Sequence, residues 1–346
     1  MIAQLIFIAL LGVGGFLAYK RFLFVKRNIL MGRDVAMEGN AADRWNTMFR
    51  VALGQGKMFT RPIAAIFHLF LYLGFVIINI EVVEIILDGI LGQHRLFHGI
   101  GGVYNVLIGA FEILAFLVIV GCVVFLIRRN VMKIARFHWR EMTKWPKSDA
   151  NIILITEIAL MSAFLKMNAA ESILAAHGVE HYVNMGNLPI SQWIVPFLQG
   201  FSNGALVAIE RFCWWFHIIG ILAFIVYLSY SKHLHILLAF PNTYYSKLQP
   251  AGQLSNMSNV TNEVKLMMDP SAQVVEDPLA PKKFGAKDVE DLTWVQLMNA
   301  YSCTECGRCT SVCPANQTGK LLSPRKIMMD TRDRMEEVGR CKDAGL

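Results

Sequence analysis

The chain is short of charge. Of its 346 residues only 17% are Asp, Glu, Lys or Arg, while 55% are hydrophobic. With a mean hydropathy of +0.43, that balance excludes an ordinary soluble globular protein. No Lys or Arg occurs between Met167 and Glu210. No positive stretch precedes the first apolar run; its positives follow, at Lys20, Arg21, Lys26 and Arg27, which is not the pattern of a signal peptide. No internal repeat or pair of broken helices is apparent, which weakens a transporter reading. The net charge of +7 does not point to nucleic acid. The basic residues sit in loops beside apolar segments, which is a signal of membrane topology.

Cysteine is also scarce, and its distribution is uneven. There are seven: Cys122, Cys213, Cys303, Cys306, Cys309, Cys313 and Cys341. Four of them fall in the run Cys303-Thr-Glu-Cys306-Gly-Arg-Cys309-Thr-Ser-Val-Cys313-Pro314. The spacing C-x2-C-x2-C-x3-C-P is the bacterial ferredoxin pattern for a [4Fe–4S] cluster. Three thiols at intervals of three wrap a tight turn and converge. The fourth points away and often serves a second cluster. Zinc sites usually pair two C-x2-C units a dozen or more residues apart, and disulfide frameworks belong to small secreted domains. Four thiols kept free for iron imply a reducing compartment.

Five runs are long and apolar enough to span a bilayer, which takes about 20 residues: approximately 2–19, 62–87, 103–127, 152–174 and 211–240. Pro62 suits a first helical position, with Thr60 as a cap. Positive residues concentrate after the first run and after the third, whereas the loop after the second has only Arg95. The positive-inside rule then puts the N-terminus outside and the cysteine-rich tail in the cytoplasm. The expected fold is all-α: a multi-pass bundle of five transmembrane helices with a small α-helical ferredoxin-like domain. Residues 1–240 form the membrane part, 241–287 a linker rich in Pro, Asn, Ser and Gln, and 288–346 the cluster domain. Ser323-Pro324 opens a helix running to about Val338. Residues 44–57 suit an interfacial amphipathic helix.

Ionisable residues inside membrane spans are functional candidates. The fifth run carries His217, His233 and His235. On one continuous helix, 18 residues make five turns, so His217 and His235 share a face about 27 Å apart, with His233 about 200° around. Residue counting places His68, on the second run, at a depth matching His235. Imidazoles from two antiparallel helices are a common way to ligate haem b axially, so His68 and His235 are expected to hold one haem. His217 is a candidate for a second, with His94, His98, His177 or His181 as partner. The alternative is that each histidine is a hydrogen-bonded interior residue. Glu81, Glu84 and Asp88 lie on one helical face, and Glu112, Glu157 and Lys166 fall within spans. Such groups suit either a proton path to a quinone or structural pairing.

The two halves together resemble known proteins. Phe67-His68 with His217…His235 looks like the cytochrome b (gamma) subunit of respiratory nitrate reductase. It also looks like the membrane cytochrome of heterodisulfide reductase and its sulfite-reduction relatives. The tail, with Trp294, Leu297, Ala300-Tyr301-Ser302, the cysteine run and Gly319-Lys320-Leu-Leu-Ser-Pro324, is similar to the cluster-binding subunit of heterodisulfide reductases and of anaerobic glycerol-3-phosphate dehydrogenase. The resemblance implies an electron wire joining a cytoplasmic redox partner, iron–sulfur clusters, haem b and menaquinone. Three departures stand out. Only His68 is present where the nitrate reductase type has two histidines on the matching helix. Only one cluster motif is present where the family tail has two, so the cluster domain is expected to continue past Leu346. The Cys-Cys-Gly motif of the catalytic heterodisulfide reductase subunit is absent, so substrate chemistry would fall to a separate protein.

The expected function is electron transfer in a prokaryotic cytoplasmic membrane. The partners are quinone, lipid and a cytoplasmic redox protein, either a Cys-Cys-Gly-domain subunit or a flavoprotein. The competing expectation is a membrane anchor whose cluster is structural and not redox-active.

Overall fold

A computed structural model describes residues 1–37, 39–250, 252–253, 257–274 and 283–346. Among the described residues there is no strand, only an isolated bridge between Arg33 and Thr293, so the all-helical expectation holds. Among the described residues five helices are long and apolar enough to cross a membrane: Ile2–Ile29, Pro62–Leu91, Gly102–Asn130, Trp145–Ala176 and Asn203–Leu228. They are called here the first to fifth spans. Pro62 opens the second span as expected, but Thr60 is not its cap. Arg61 occupies that position and makes no side-chain capping bond.

The chain divides into two compact units. One comprises residues 1–19 and 58–228, the other 20–57 and 229–346. In the first unit the fourth span is the axis, since half of its most apolar window is buried, against 11% for the first span. It packs between the third and fifth spans, and the second packs on the third. The core runs through Ile108, Phe111, Ala115, Phe164 and Ile218. Small residues bring the helices close. A Cβ on Gly74 would overlap Val118, and one on Gly121 would lie 2.5 Å from Leu71. Close approach of this kind replaces the hydrophobic driving force that lipid removes. The apolar side chains facing outward from the spans, such as Val76, Val106 and Phe212, form the surface that lipid would cover.

The second unit takes in residues 20–57 and 229–346. The run read as one helix over 211–240 breaks. The fifth span ends at Leu228, a short 3-10 turn covers Lys232–Leu234, and a new helix runs His235–Tyr244. The cause is the polar Ser229-Tyr230-Ser231 stretch. Ser231 has extended backbone, and its hydroxyl accepts from the His233 N–H at 3.1 Å, which starts a new turn. His217 and His235 therefore do not ride on one helix. The angular phase and depth counted along it lose their basis.

Residues 20–57 belong with the cysteine-rich tail because the tail packs on the end of the first span. Arg33 N–H donates to the Leu292 carbonyl at 2.8 Å, and Trp294 N–H to the Arg33 carbonyl at 3.0 Å. Gly32 leaves room for that backbone approach. Arg21 donates twice to Glu336, at 2.6 and 3.0 Å, and Glu336 also accepts from the Tyr301 hydroxyl at 2.8 Å. Asn28, fully buried, donates to that hydroxyl at 2.9 Å. The stretch expected to be an interfacial helix is Ala41–Met48 followed by a π-turn, Phe49–Leu53. It packs on His235–Tyr244, burying Arg44 and Met48. Part of the expected linker, residues 251, 254–256 and 275–282, lies outside the described residues, as does residue 38. The remainder includes a helix, Ser258–Met268. The helix after Ser323 opens at Pro324 as expected, with the Ser323 hydroxyl accepting from Lys326 N–H, and runs on to Asp343.

Candidate functional site

The cysteine loop follows the helix Trp294–Tyr301, which a Thr293–Gln296 capping box starts. Cys303 and Cys306 are half-buried, Cys309 is exposed, and Cys313 is half-buried at the start of the short helix Pro314–Gln317. Gly307, with φ 70°, reverses the chain into the helical turn Arg308–Ser311. A side chain would be strained there. All four thiols are free. Among the described residues no three His, Cys, Asp or Glu side chains gather around a single ion position. A [4Fe–4S] cluster does not require that, because each thiolate binds a separate iron corner. The donor set and the tight Cys303–Cys309 turn fit such a group.

Nothing in the neighbouring residues announces what surrounds this loop. Glu305, between the first two cysteines, has φ 54° and is 3% exposed. Its carboxylate accepts from Lys232 Nζ at 2.6 Å and from Arg332 at 2.8 Å. Burial pushes the Glu305 carboxyl up, but the charges of Lys232 and Arg332 outweigh it and hold the group below its ordinary range. The Glu305 N–H points at Cys303 Sγ, 3.4 Å away. Burial pushes the Cys303 thiol up, opposed by that N–H and by Arg332. Arg325, fully buried, donates to the Glu305 carbonyl at 3.4 Å. A lone glutamate in a cysteine motif carries no sequence signal of a partner more than 70 positions away.

His235 lies in the same unit. Its Nδ1 is 3.0 Å from the Lys232 carbonyl. A carbonyl only accepts, so Nδ1 carries the proton and Nε2 keeps its lone pair. Burial also pushes the His235 pKa down, toward the neutral imidazole that binds metals. The His233 ring lies 5.8 Å from that of His235.

In the other unit, His217 is fully buried. Its Nδ1 lies 3.0 Å from the Leu160 carbonyl, and its ring tilts against Phe164. Its Nε2 is buried without a hydrogen-bond partner. A buried imidazole with one nitrogen anchored on a carbonyl and the other unpartnered would suit a ligand to haem iron. Of the four histidines expected as partners, three have described contacts elsewhere and the fourth lies at the surface. His94 meets Glu171 at 2.8 Å, His98 lies against Tyr104, His177 meets Asn203 at 2.7 Å, and His181 is exposed. His68 is half-buried in the second span, next to Phe67, whose carbonyl faces Gly121.

The face of Glu81, Glu84 and Asp88 is organised by Arg95, a residue noticed in the sequence only as a loop charge. Arg95 is 5% exposed. It donates to Glu81, to Glu171 at 2.9 Å and to Asn168 at 2.8 Å. Asp88 accepts from the Arg95 and Leu96 N–H groups, and Glu84 from the Phe97 N–H and the Tyr104 hydroxyl. Glu112 accepts from the Ile190 and Ser191 N–H groups. These carboxylates close loops onto the bundle, and Glu81, Glu84, Asp88 and Glu171 line a cavity of about 10 Å³, room for about one water.

Residues 294–315 match the family model described as a 4Fe-4S binding domain, so the chain carries such a domain. Over 328 residues, 93% of this chain, it is 27% identical to the "Probable iron-sulfur-binding oxidoreductase FadF" of Bacillus subtilis. Over 303 residues, 86% of the chain, it is 25% identical to the "EtfAB:quinone oxidoreductase" of Syntrophomonas wolfei. A 56-residue stretch, 16% of the chain and 8% of the relative, is 41% identical to the "Probable membrane-anchored ferredoxin" of Chromohalobacter salexigens. The chain spans only 42% and 38% of the length of the first two relatives. No solved structure matches it.

Proposed function

We propose that this chain is the membrane-embedded electron-transfer part of an oxidoreductase that exchanges electrons between a cytoplasmic redox partner and the quinone pool. One observation carries the reading. A 4Fe-4S binding domain shares a chain with five membrane-length helices, whose interior holds His217 with Nδ1 anchored and Nε2 open. Cys303, Cys306, Cys309 and Cys313 are the proposed cluster ligands, with residues 288–346 as the cluster domain. His217, His68 and His235 are the proposed ligands of haem b. Bound there, these groups supply one-electron redox chemistry. The protein's own part is to fix the neutral imidazole tautomers through the Leu160 and Lys232 carbonyls and to keep water from His217.

The likeness of the spans to nitrate reductase gamma and heterodisulfide reductase cytochromes belongs to this proposal. So does menaquinone as the quinone. A relative named an EtfAB:quinone oxidoreductase supports a quinone-linked role. The proposed soluble partner is a flavoprotein or a Cys-Cys-Gly-domain subunit. The proposed location is a prokaryotic cytoplasmic membrane, with the N-terminus outside and the cysteine domain in the cytoplasm.

The test is anaerobic purification in lipid nanodiscs, with iron and haem assays and a reduced-minus-oxidised spectrum after adding a menaquinol analogue. A quinol-reducible b-type band together with about four irons per motif is the expected result. A cluster with no haem would favour the membrane-anchor reading instead.

A further inference from the structure

The Lys232–Glu305–Arg332 arrangement goes beyond the ligand set. Glu305 sits inside the Cys303–Cys306 turn, but its carboxylate faces two cations and not solvent. Lys232 is 9% exposed and reaches it at 2.6 Å. Arg332, on the helix Pro324–Asp343, reaches it at 2.8 Å with a side chain 19% exposed. The triad carries two positive charges and one negative. Buried charges interact far more strongly than exposed ones. Glu305 also contributes its backbone N–H toward Cys303 Sγ, at 3.4 Å. Iron–sulfur reduction potentials respond to nearby net charge, to hydrogen bonds at sulfur and to solvent exposure, and this triad can adjust the first two together.

We infer that Lys232, Glu305 and Arg332 form a buried charge clamp that sets the reduction potential of the cluster held by the cysteine loop. Glu305 is a positioning residue in it, and the inference rests on that loop holding a [4Fe–4S] cluster. Lys232 has a second attachment, since its carbonyl holds His235 Nδ1. One residue therefore supports both a proposed haem ligand and the cluster loop.

The charge bookkeeping predicts opposite signs. Glu305→Gln keeps the shape and removes the negative charge, leaving two cations beside the cluster, so reduction becomes easier. Lys232→Met removes one of the two cations and leaves Glu305 matched by Arg332 alone, so the net positive charge beside the cluster is lost and reduction becomes harder. A loss of packing alone would not separate the two variants by sign.

The experiment is an EPR-monitored redox titration of the full chain in nanodiscs, with iron content measured on every sample. The expected result is an upward shift for Glu305→Gln and a downward one for Lys232→Met. Each shift is about tenfold in the reduction equilibrium, about 59 mV for one electron. The double variant Lys232→Met/Glu305→Gln should return toward the parent value, and Lys232→Arg should match it. If Glu305→Gln fails to retain iron, Lys232→Met alone decides, by its downward shift. Shifts of the same sign, shifts under about twofold, or loss of iron from both single variants would overturn the inference. Absence of iron from the parent protein would instead overturn the cluster reading on which it rests.

Discussion

At the residue scale, the chain's chemistry lies in side chains whose second contact is already assigned. His217 is anchored through Nδ1 on Leu160, and His235 through Nδ1 on Lys232. Replacing His217 with Ala should remove a b-type absorbance band, read in the dithionite-reduced spectrum. An unchanged band would make His217 an ordinary packed histidine. His68→Ala and His235→Ala should each lower b-type absorbance as well. For the cysteines, Cys303→Ala, Cys306→Ala and Cys309→Ala should each abolish a [4Fe–4S] EPR signal, because each removes a proposed thiolate ligand. Cys122→Ala and Cys213→Ala, buried in the spans, should leave iron content unchanged. Stoichiometric zinc in place of iron in anaerobically purified protein would overturn the cluster assignment.

At the scale of elements, two contacts hold pieces that the sequence kept far apart. One is the seat of the Pro324–Asp343 helix on the end of the first span. Gly339 lies directly on the Asn28 amide, which donates to Tyr301. A side chain there must push the helix off. Gly339→Val should therefore destabilise the second unit by about 1–3 kcal/mol, the usual cost of overpacking. It should also speed proteolysis of the cysteine domain, measured by timed trypsin digestion; an unchanged digestion rate would count against the seat. The other contact is the Arg95 hub, which gathers Glu81, Glu171 and Asn168 from two spans. Removing one partner of a buried ion network costs about 3–5 kcal/mol, because the charges left behind stay buried. Arg95→Met should accordingly lower the melting temperature in detergent, with a smaller loss for Arg95→Lys, which keeps the charge but not the forked geometry.

At the scale of the whole molecule, the question is which side of the membrane each end faces. Positive residues cluster after the first and third spans, which predicts an external N-terminus and a cytoplasmic cysteine domain. A fluorescent reporter fused after Leu346 should be bright in bacterial cells, and an alkaline phosphatase fused there should be inactive. The reverse pattern would refute the orientation, and with it the argument from free thiols in a reducing compartment.

The sequence by itself determined the five spans and the cysteine run. Length and hydropathy decide the first, and thiol spacing decides the second. Both are local properties, written in consecutive residues. It also marked Pro62 and Ser323-Pro324 as helix starts, because capping is local too. The helix break after Leu228 is local too, set by Ser231, but its polar stretch is too short to register against the apolar residues on either side, so counting turns from His217 to His235 failed. Tertiary structure decided the rest. The role of Arg95 appears only when Glu171 is folded beside it, 76 positions away. Glu305 gains its meaning only from Lys232, 73 positions before it, and from Arg332 on another helix. A buried charge is tolerable only when a partner arrives through space, and no pattern of neighbours along the chain records which partner that will be.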